Sequence, residues 1–275
     1  MTYTTLLVNL TVGRPNTRLL EITDSLAEKF DAGVIGFGAC RPIHTICRDY
    51  SVPAALFAED RKQIARQVQA AEAEFRAAMT RTRRQLEWRG RISTLPLAEH
   101  LAHEARAADL LVVGIEKMEP APDTTRVPDI CDLVMRVGRP VLLVPVAAPA
   151  SRFERVVVAW KDTCEAQRAV RDSLPFLGKA SKVTVVGIAA EELLAEVRSH
   201  LREVVTWLAR HGVVAEVKAV ASTMANAPQL HAIADDLEAD LIVAGAYGYS
   251  RQGKWVLGGI TNELLAGDRC ALVAH

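Results

Sequence analysis

Three observations predict an α/β fold made of two tandem, doubly wound domains, each around a five-stranded parallel sheet. Short apolar runs alternate with amphipathic stretches along the whole chain of 275 residues. The runs are continuous rather than alternating, as in parallel strands buried on both faces. One block also recurs: Glu104-Ala-Arg-Ala-Ala-Asp-Leu-Leu-Val-Val-Gly114 is answered by Asp235-Asp-Leu-Glu-Ala-Asp-Leu-Ile-Val-Ala-Gly245.

Within the repeat, Asp109 aligns with Asp240, and Leu6-Leu-Val8 answers Val156-Val-Val158. The first offset (109 to 240) is 131 and the second (6 to 156) is 150, so the first copy is longer by 19 residues between its first and fourth strands. The expected domains are 1–147 and 152–275, joined near the Pro/Ala linker Ala147-Ala-Pro-Ala-Ser151. In the first copy, strands are expected near 5–10, 33–38, 90–94, 109–114 and 140–146, with helices near 16–30, 59–88, 96–107 and 128–137. In the second, strands are expected near 154–160, 182–188, 213–220, 240–245 and 270–274, with helices near 163–175, 190–211, 228–238 and 258–267. Right-handed crossovers wind such a sheet in both directions and place ligands outside the carboxyl ends of its strands. The two closing strands, 141–146 and 271–274, are edge-like and apolar, and are expected to pair copy with copy within the chain.

The most informative stretch follows the second repeat block. Leu241–Ala244 runs into Gly245, then Gly248, Tyr249 and Ser250, and later Gly258-Gly259-Ile260-Thr261 enters a short helical pattern. A phosphate is held best by converging backbone N–H groups and by a helix N-terminus, and glycine admits the closest approach. Thr261 and Ser250 add hydroxyls. Ordinary turn glycines would give the same residues, since short glycine patterns are poorly specific.

The spacing Gly245-x2-Gly248-x9-Gly258 resembles the nucleotide loop of the universal stress protein family, G-x2-G-x9-G-[ST]. The Ala-Asp-Leu-Ile-Val strand before it and the Leu-Val strand closing the domain are similar to that family too. Gly259 stands where the family usually has Ser or Thr, with the hydroxyl found at Thr261. The family commonly carries an acid beside the nucleoside after its first strand. Here Trp160 and Lys161 occupy that step, with Asp162 one place late and Thr163 next. Lys161 is a candidate for a phosphate and Trp160 for the border of a base, while Asp162 and Thr163 equally suit helix capping. The resemblance further implies backbone contacts to the adenine edge at Ile188, Val220 and Ala221, and ATP, with Mg²⁺ as its accompanying ion, as cofactor. In the intervening loop, Arg251 and Lys254 are candidates to clamp charge and Trp255 to act as a hinge.

The first copy lacks the later glycines. After Gly114 come Glu116, Glu119, Pro120 and Pro122, and Asp129-Ile-Cys-Asp132 replaces the glycine step. Carboxylates repel phosphate and prolines remove donors, so this copy is expected to be a structural partner or to take another ligand near Gly36-Phe-Gly38 and the loop through Pro53.

Composition narrows the remaining classes. Lys plus Arg and Asp plus Glu number 33 each, which gives no bulk drive toward nucleic acid or an anionic membrane. No apolar run reaches the roughly 18 residues of a membrane span, and no signal peptide is visible. Five scattered cysteines without a C-x-x-C pair suit a reducing compartment. The expected location is the cytoplasm. His100, His103 and Glu104 lack the H-E-x-x-H spacing and read as a solvated helix face. Arg76, Arg81, Arg83, Arg84, Arg89 and Arg91 read as an exposed helix end. With no nucleophile elbow, P-loop or placed base, no catalytic residue is assigned, and hydrolysis of ATP would at most be slow. The expectation is a stress-response, nucleotide-dependent regulator, with a homodimer of chains compatible. The alternative is a scaffold or small-ligand binder using its N-terminal domain.

Overall fold

The computed structural model describes residues 2–42, 54–82, 84–116, 123–149, 151–246, 248–249, 255–256 and 268–275. The chain divides into two compact units, Tyr3–Arg139 and Pro140–His275, the latter including the N-terminal Thr2.

In the first unit the order is β1 (Thr5–Leu10), α1 (Thr17–Phe30), β2 (Gly33–Cys40), α2 (Ala54–Ala78), β3 (Leu86–Ile92), α3 (Leu97–Glu104), β4 (Leu110–Ile115) and α4 (Ile130–Arg136). The parallel sheet runs β3-β2-β1-β4. In the second unit β5 (Val141–Pro145) and β6 (Arg155–Ala159) lead to α5 (Cys164–Asp172), α6 (Leu174–Leu177), β7 (Lys182–Ala189), α7 (Leu194–Arg210) and β8 (Glu216–Ala221). The unit continues with α8 (Asn226–Asp236), β9 (Leu241–Gly245), β10 (Gly248–Tyr249), β11 (Trp255–Val256) and β12 (Cys270–Ala274). Its sheet runs β12-β9-β6-β7-β8 in parallel, and β5 lies antiparallel on β12, Leu142 opposite Leu272. The strands read as unbroken apolar runs because both faces are covered: every residue of β5 and β12 is buried.

The recurring Ala-Asp-Leu block now has a physical cause. Asp109 accepts the Thr4 amide (2.8 Å), the Thr4 hydroxyl (2.7 Å) and the Thr5 amide (3.1 Å). Asp240 accepts the amides of Glu154 (2.9 Å) and Arg155 (3.0 Å). The carboxylate before β4 grips the start of β1, and the one before β9 grips the start of β6. Each satisfies amides that lie before the ladder begins, and sets the two strands side by side. Burial pushes the Asp109 carboxyl up, but the hydrogen bonds from Thr4 and Thr5 and the charge of Arg139 hold it below the ordinary carboxylate value.

Two expectations need correction. The helix expected over 59–88 ends at Ala78, and the strand expected at 90–94 starts at Leu86. Asp24, on α1, accepts the Arg81 amide at 3.0 Å and the Thr80 hydroxyl at 3.3 Å, so the chain turns there. Trp88 then packs on Phe75 of α2, ring centroids 5.7 Å apart, from an extended backbone. The basic stretch is accordingly not one helix end. Arg76 pairs with Glu72, Arg84 with Asp31 at 2.5 Å, and Arg89 with both Glu87 and Glu104 at 2.7 Å. Arg83 lies outside the described residues.

The second correction concerns His100, whose side chain is only 12% exposed. It sits edge-on to Phe37 and 2.9 Å from the Ser93 hydroxyl, with Glu104 at 3.6 Å. His103 is exposed as expected. Ser93 follows β3, so the contact pins the turn between strand and helix. Burial lowers the affinity of His100 for a proton, and the opposing Glu104 only partly offsets it.

Two predictions follow from these contacts. Asp109→Asn and Asp240→Asn should each cost about 1–3 kcal/mol in urea denaturation. The Asp109 contribution is present above the ordinary carboxylate value of about 3.9 and is lost as pH falls through the lower folded value. The gap between wild type and Asp109→Asn should therefore close in acid. For His100, whose folded value lies below the ordinary value of about 6.5, stability is present above that pH and declines on acidification. His100→Gln should flatten that part of the denaturation-midpoint profile.

Candidate functional site

In the second unit the winding reverses between β6 and β9, which opens a crevice at their carboxyl ends. Ala159, the last residue of β6, lies opposite both Val186 and Ala244. The Trp160 amide adds one more bond, to Val186 O at 2.8 Å, and the chain then leaves the sheet. The neighbours continue: Ile188 pairs with Val220 and Ala189 with Ala221, which raises a rim beside residues 160–163.

Gly245 closes the other side. A Cβ there would lie 2.5 Å from the Ala166 amide nitrogen and 2.7 Å from the Glu165 carbonyl carbon. The first turn of α5 thus rests directly on the end of β9, backbone against backbone, as only glycine permits. Thr163 caps this helix, accepting the Ala166 amide at 3.4 Å from an extended backbone. Thr163 is thus the cap of α5. Asp162 and Lys161 are exposed, and Lys161 makes no ion pair among the described residues.

Beyond Gly245 the Ala246 amide still bonds Ala274 O at 2.8 Å. The chain then makes a feature the sequence did not announce: β10 and β11 pair antiparallel, Gly248 opposite Val256 and Tyr249 opposite Trp255. Ser250, Arg251, Lys254, Gly258, Gly259, Ile260 and Thr261, with the helix expected over 258–267, lie outside the described residues. At the far rim the Ala221 carbonyl is engaged by the buried Gln229, whose Nε2 donates at 2.6 Å. Its Oε1 takes the Thr223 amide. This staple between β8 and α8 was invisible in the sequence.

Trp160 faces a different space. It lines a cleft between α5 and α7, and its buried indole N–H finds no acceptor among the described residues. Burying a donor unpaired costs about 1–3 kcal/mol.

The first unit fills the equivalent positions with its own side chains. Arg126 donates to Gln67 Oε1 at 2.6 Å and to Val12 O at 3.3 Å, while Arg14 pairs with Glu116. Asp129 caps α4 by accepting the amides of Cys131 (2.8 Å) and Asp132 (3.0 Å), the groups an anion would otherwise use. Glu119, Pro120, Pro122 and the loop 43–53 lie outside the described residues. Gly114, the counterpart of Gly245, has only Leu19 Cδ2 near its missing Cβ among the described residues, at 3.6 Å.

That difference is measurable. Gly245→Ala should destabilise the protein by about 1–3 kcal/mol, since the backbone of α5 must move. Gly114→Ala should stay within about 0.5 kcal/mol of wild type. Urea midpoints of the two variants check this.

No protein-family model and no curated protein matches the sequence. Solved structures do. A universal stress protein from Archaeoglobus fulgidus DSM 4304 is 12% identical with a TM-score of 0.73, covering 98% of this chain and 97% of its own. A protein of unknown function from Pseudomonas aeruginosa PAO1 is 14% identical with a TM-score of 0.61, covering 99% and 92%. A candidate universal stress protein from Pseudomonas aeruginosa UCBPP-PA14 is 14% identical with a TM-score of 0.62, covering 99% and 93%. At such identity the likeness concerns architecture, and it runs the length of both chains: this protein has the fold of the universal stress proteins in tandem form.

Proposed function

We propose that the second unit binds an adenine nucleotide, ATP in the first instance, and that occupancy of its glycine loop regulates a stress-response partner. One observation carries this reading. Gly245, the first glycine of the G-x2-G-x9-G spacing, lies at the winding reversal with its backbone against the first turn of α5. A loop that leaves from there starts beside helix amides, and Lys161, exposed after β6 and without an ion pair among the described residues, adds a cation that suits a phosphate chain.

Gly245, Gly248, Gly258 and Gly259 would supply backbone donors, with Tyr249, Ser250, Ile260 and Thr261 around them. Lys161 would meet phosphate charge. Ile188 and Val220, on the rim, would face the base, and Asp162, Thr163 and Ala221 complete the candidate set; Trp160, which lines the cleft between α5 and α7 instead, is left out of it. Magnesium would accompany the triphosphate. The proposed role is binding, with hydrolysis slow at most. Pairing of the copies through their closing strands, and a homodimer in the cytoplasm, are part of the same reading.

The scaffold alternative draws on two observations: Lys161 stands in place of the family's acid, and Gln229 already engages the Ala221 carbonyl. Calorimetry separates the two. ATP should bind wild type with one site per chain, Gly258→Asp should lose that heat, and Asp129→Gly in the first unit should leave one site. Absence of heat at millimolar ATP would leave the scaffold.

A further inference from the structure

We propose that the cleft between α5 and α7 is a second binding site in this unit, built for a small aromatic monoanion and distinct from the nucleotide crevice. The cleft arises from how the helices sit. α5 packs over β9 and β12, and α7 over β7 and β8, so the surface above β6 is left to Trp160. The first unit does not repeat this: there α1 touches α2, and Glu74 of α2 takes both the amide (2.7 Å) and the side-chain amide (3.2 Å) of Asn16. The second unit has no such clasp between these walls among the described residues.

The cleft measures about 510 Å³, enough for a bicyclic ring system. Val170 of α5 and Val204 and Trp207 of α7 give it apolar walls. Trp207 packs against His211, ring centroids 4.4 Å apart, which helps to set its position before anything binds. Apolar walls flanked by two indoles favour a flat aromatic body. The indole N–H of Trp160, buried and without an acceptor among the described residues, asks for one from the occupant. Two arginines, Arg168 and Arg171, stand on the cleft lining. Arg171 is paired with Asp172 at 3.2 Å, whereas Arg168 makes no ion pair among the described residues and can take a carboxylate. Glu203 on the opposite wall disfavours a second negative charge, which separates this ligand from a di- or triphosphate.

The probe is 2-naphthoate, titrated without nucleotide into the full ¹⁵N-labelled chain, with neutral 2-naphthamide as control. Of the four tryptophan indole signals, the one lost in Trp160→Phe should move downfield on saturation as its N–H gains an acceptor. 2-Naphthoate should bind at least about tenfold more tightly than the amide. Arg168→Glu, an exposed change that spares the fold, should remove that preference. Val204→Phe should abolish binding by filling the cleft. Failure of 2-naphthoate to saturate at millimolar concentration would overturn the proposal. So would equal binding of acid and amide, or competitive displacement by ATP. Because the titration contains no nucleotide, its failure leaves the nucleotide reading untouched, and failure of ATP to bind leaves this one untouched.

Discussion

The carboxylate that precedes the fourth strand of each copy holds the architecture together. Asp109 and Asp240 each reach sideways to the amides that open the first strand, and so fix strands one and four as neighbours. That adjacency is what makes the winding reverse, and the reversal is what leaves a crevice at the carboxyl edge. A few hydrogen bonds at the bottom of the sheet thus decide where a ligand can enter at the top. The same device appears twice, once in each copy of the fold.

From a shared frame the units diverge in how they treat that crevice. In the first, Asp129 spends its carboxylate on the amides of its own short helix, and Arg126 bridges Gln67 and Val12. In the second, bare backbone at Gly245 lets a helix start against the strand end, and charged side chains stay at the rim. Charged side chains are tied down beside one crevice, and the missing Cβ at Gly245 lets helix and strand meet at the other. The neighbouring helices follow a parallel divergence: Glu74 clasps Asn16 in the first unit, and a tryptophan-lined cleft lies between the matching helices of the second.

Much of this was legible in the sequence because it is local or periodic. Continuous apolar runs gave the strands, and the Ala-Asp-Leu blocks gave the duplication, though not the hydrogen bonds that explain them. What escaped depends on partners distant in the chain. Asp24 ends α2 from 57 residues away, so periodicity alone carried that helix ten residues too far, to 88 rather than Ala78. His100 looked solvated because its neighbours on the helix are polar; Phe37, from another strand, buries it. The β10–β11 ladder is too short to leave a pattern. The cleft joins Trp160 to Trp207, residues no motif connects. At the candidate site, the glycine spacing and a capping role for Thr163 were readable, while the engagement of Ala221 by Gln229 was not.

The central claim is that one crevice of two accepts an anionic nucleotide. Hydrogen–deuterium exchange with and without ATP tests it directly, since every backbone segment reports at once. Slowed exchange should appear across 160–166 and 245–261, and the matching segments 11–17 and 114–132 should be unchanged. Protection of the first-unit segments with none in the second would contradict the account.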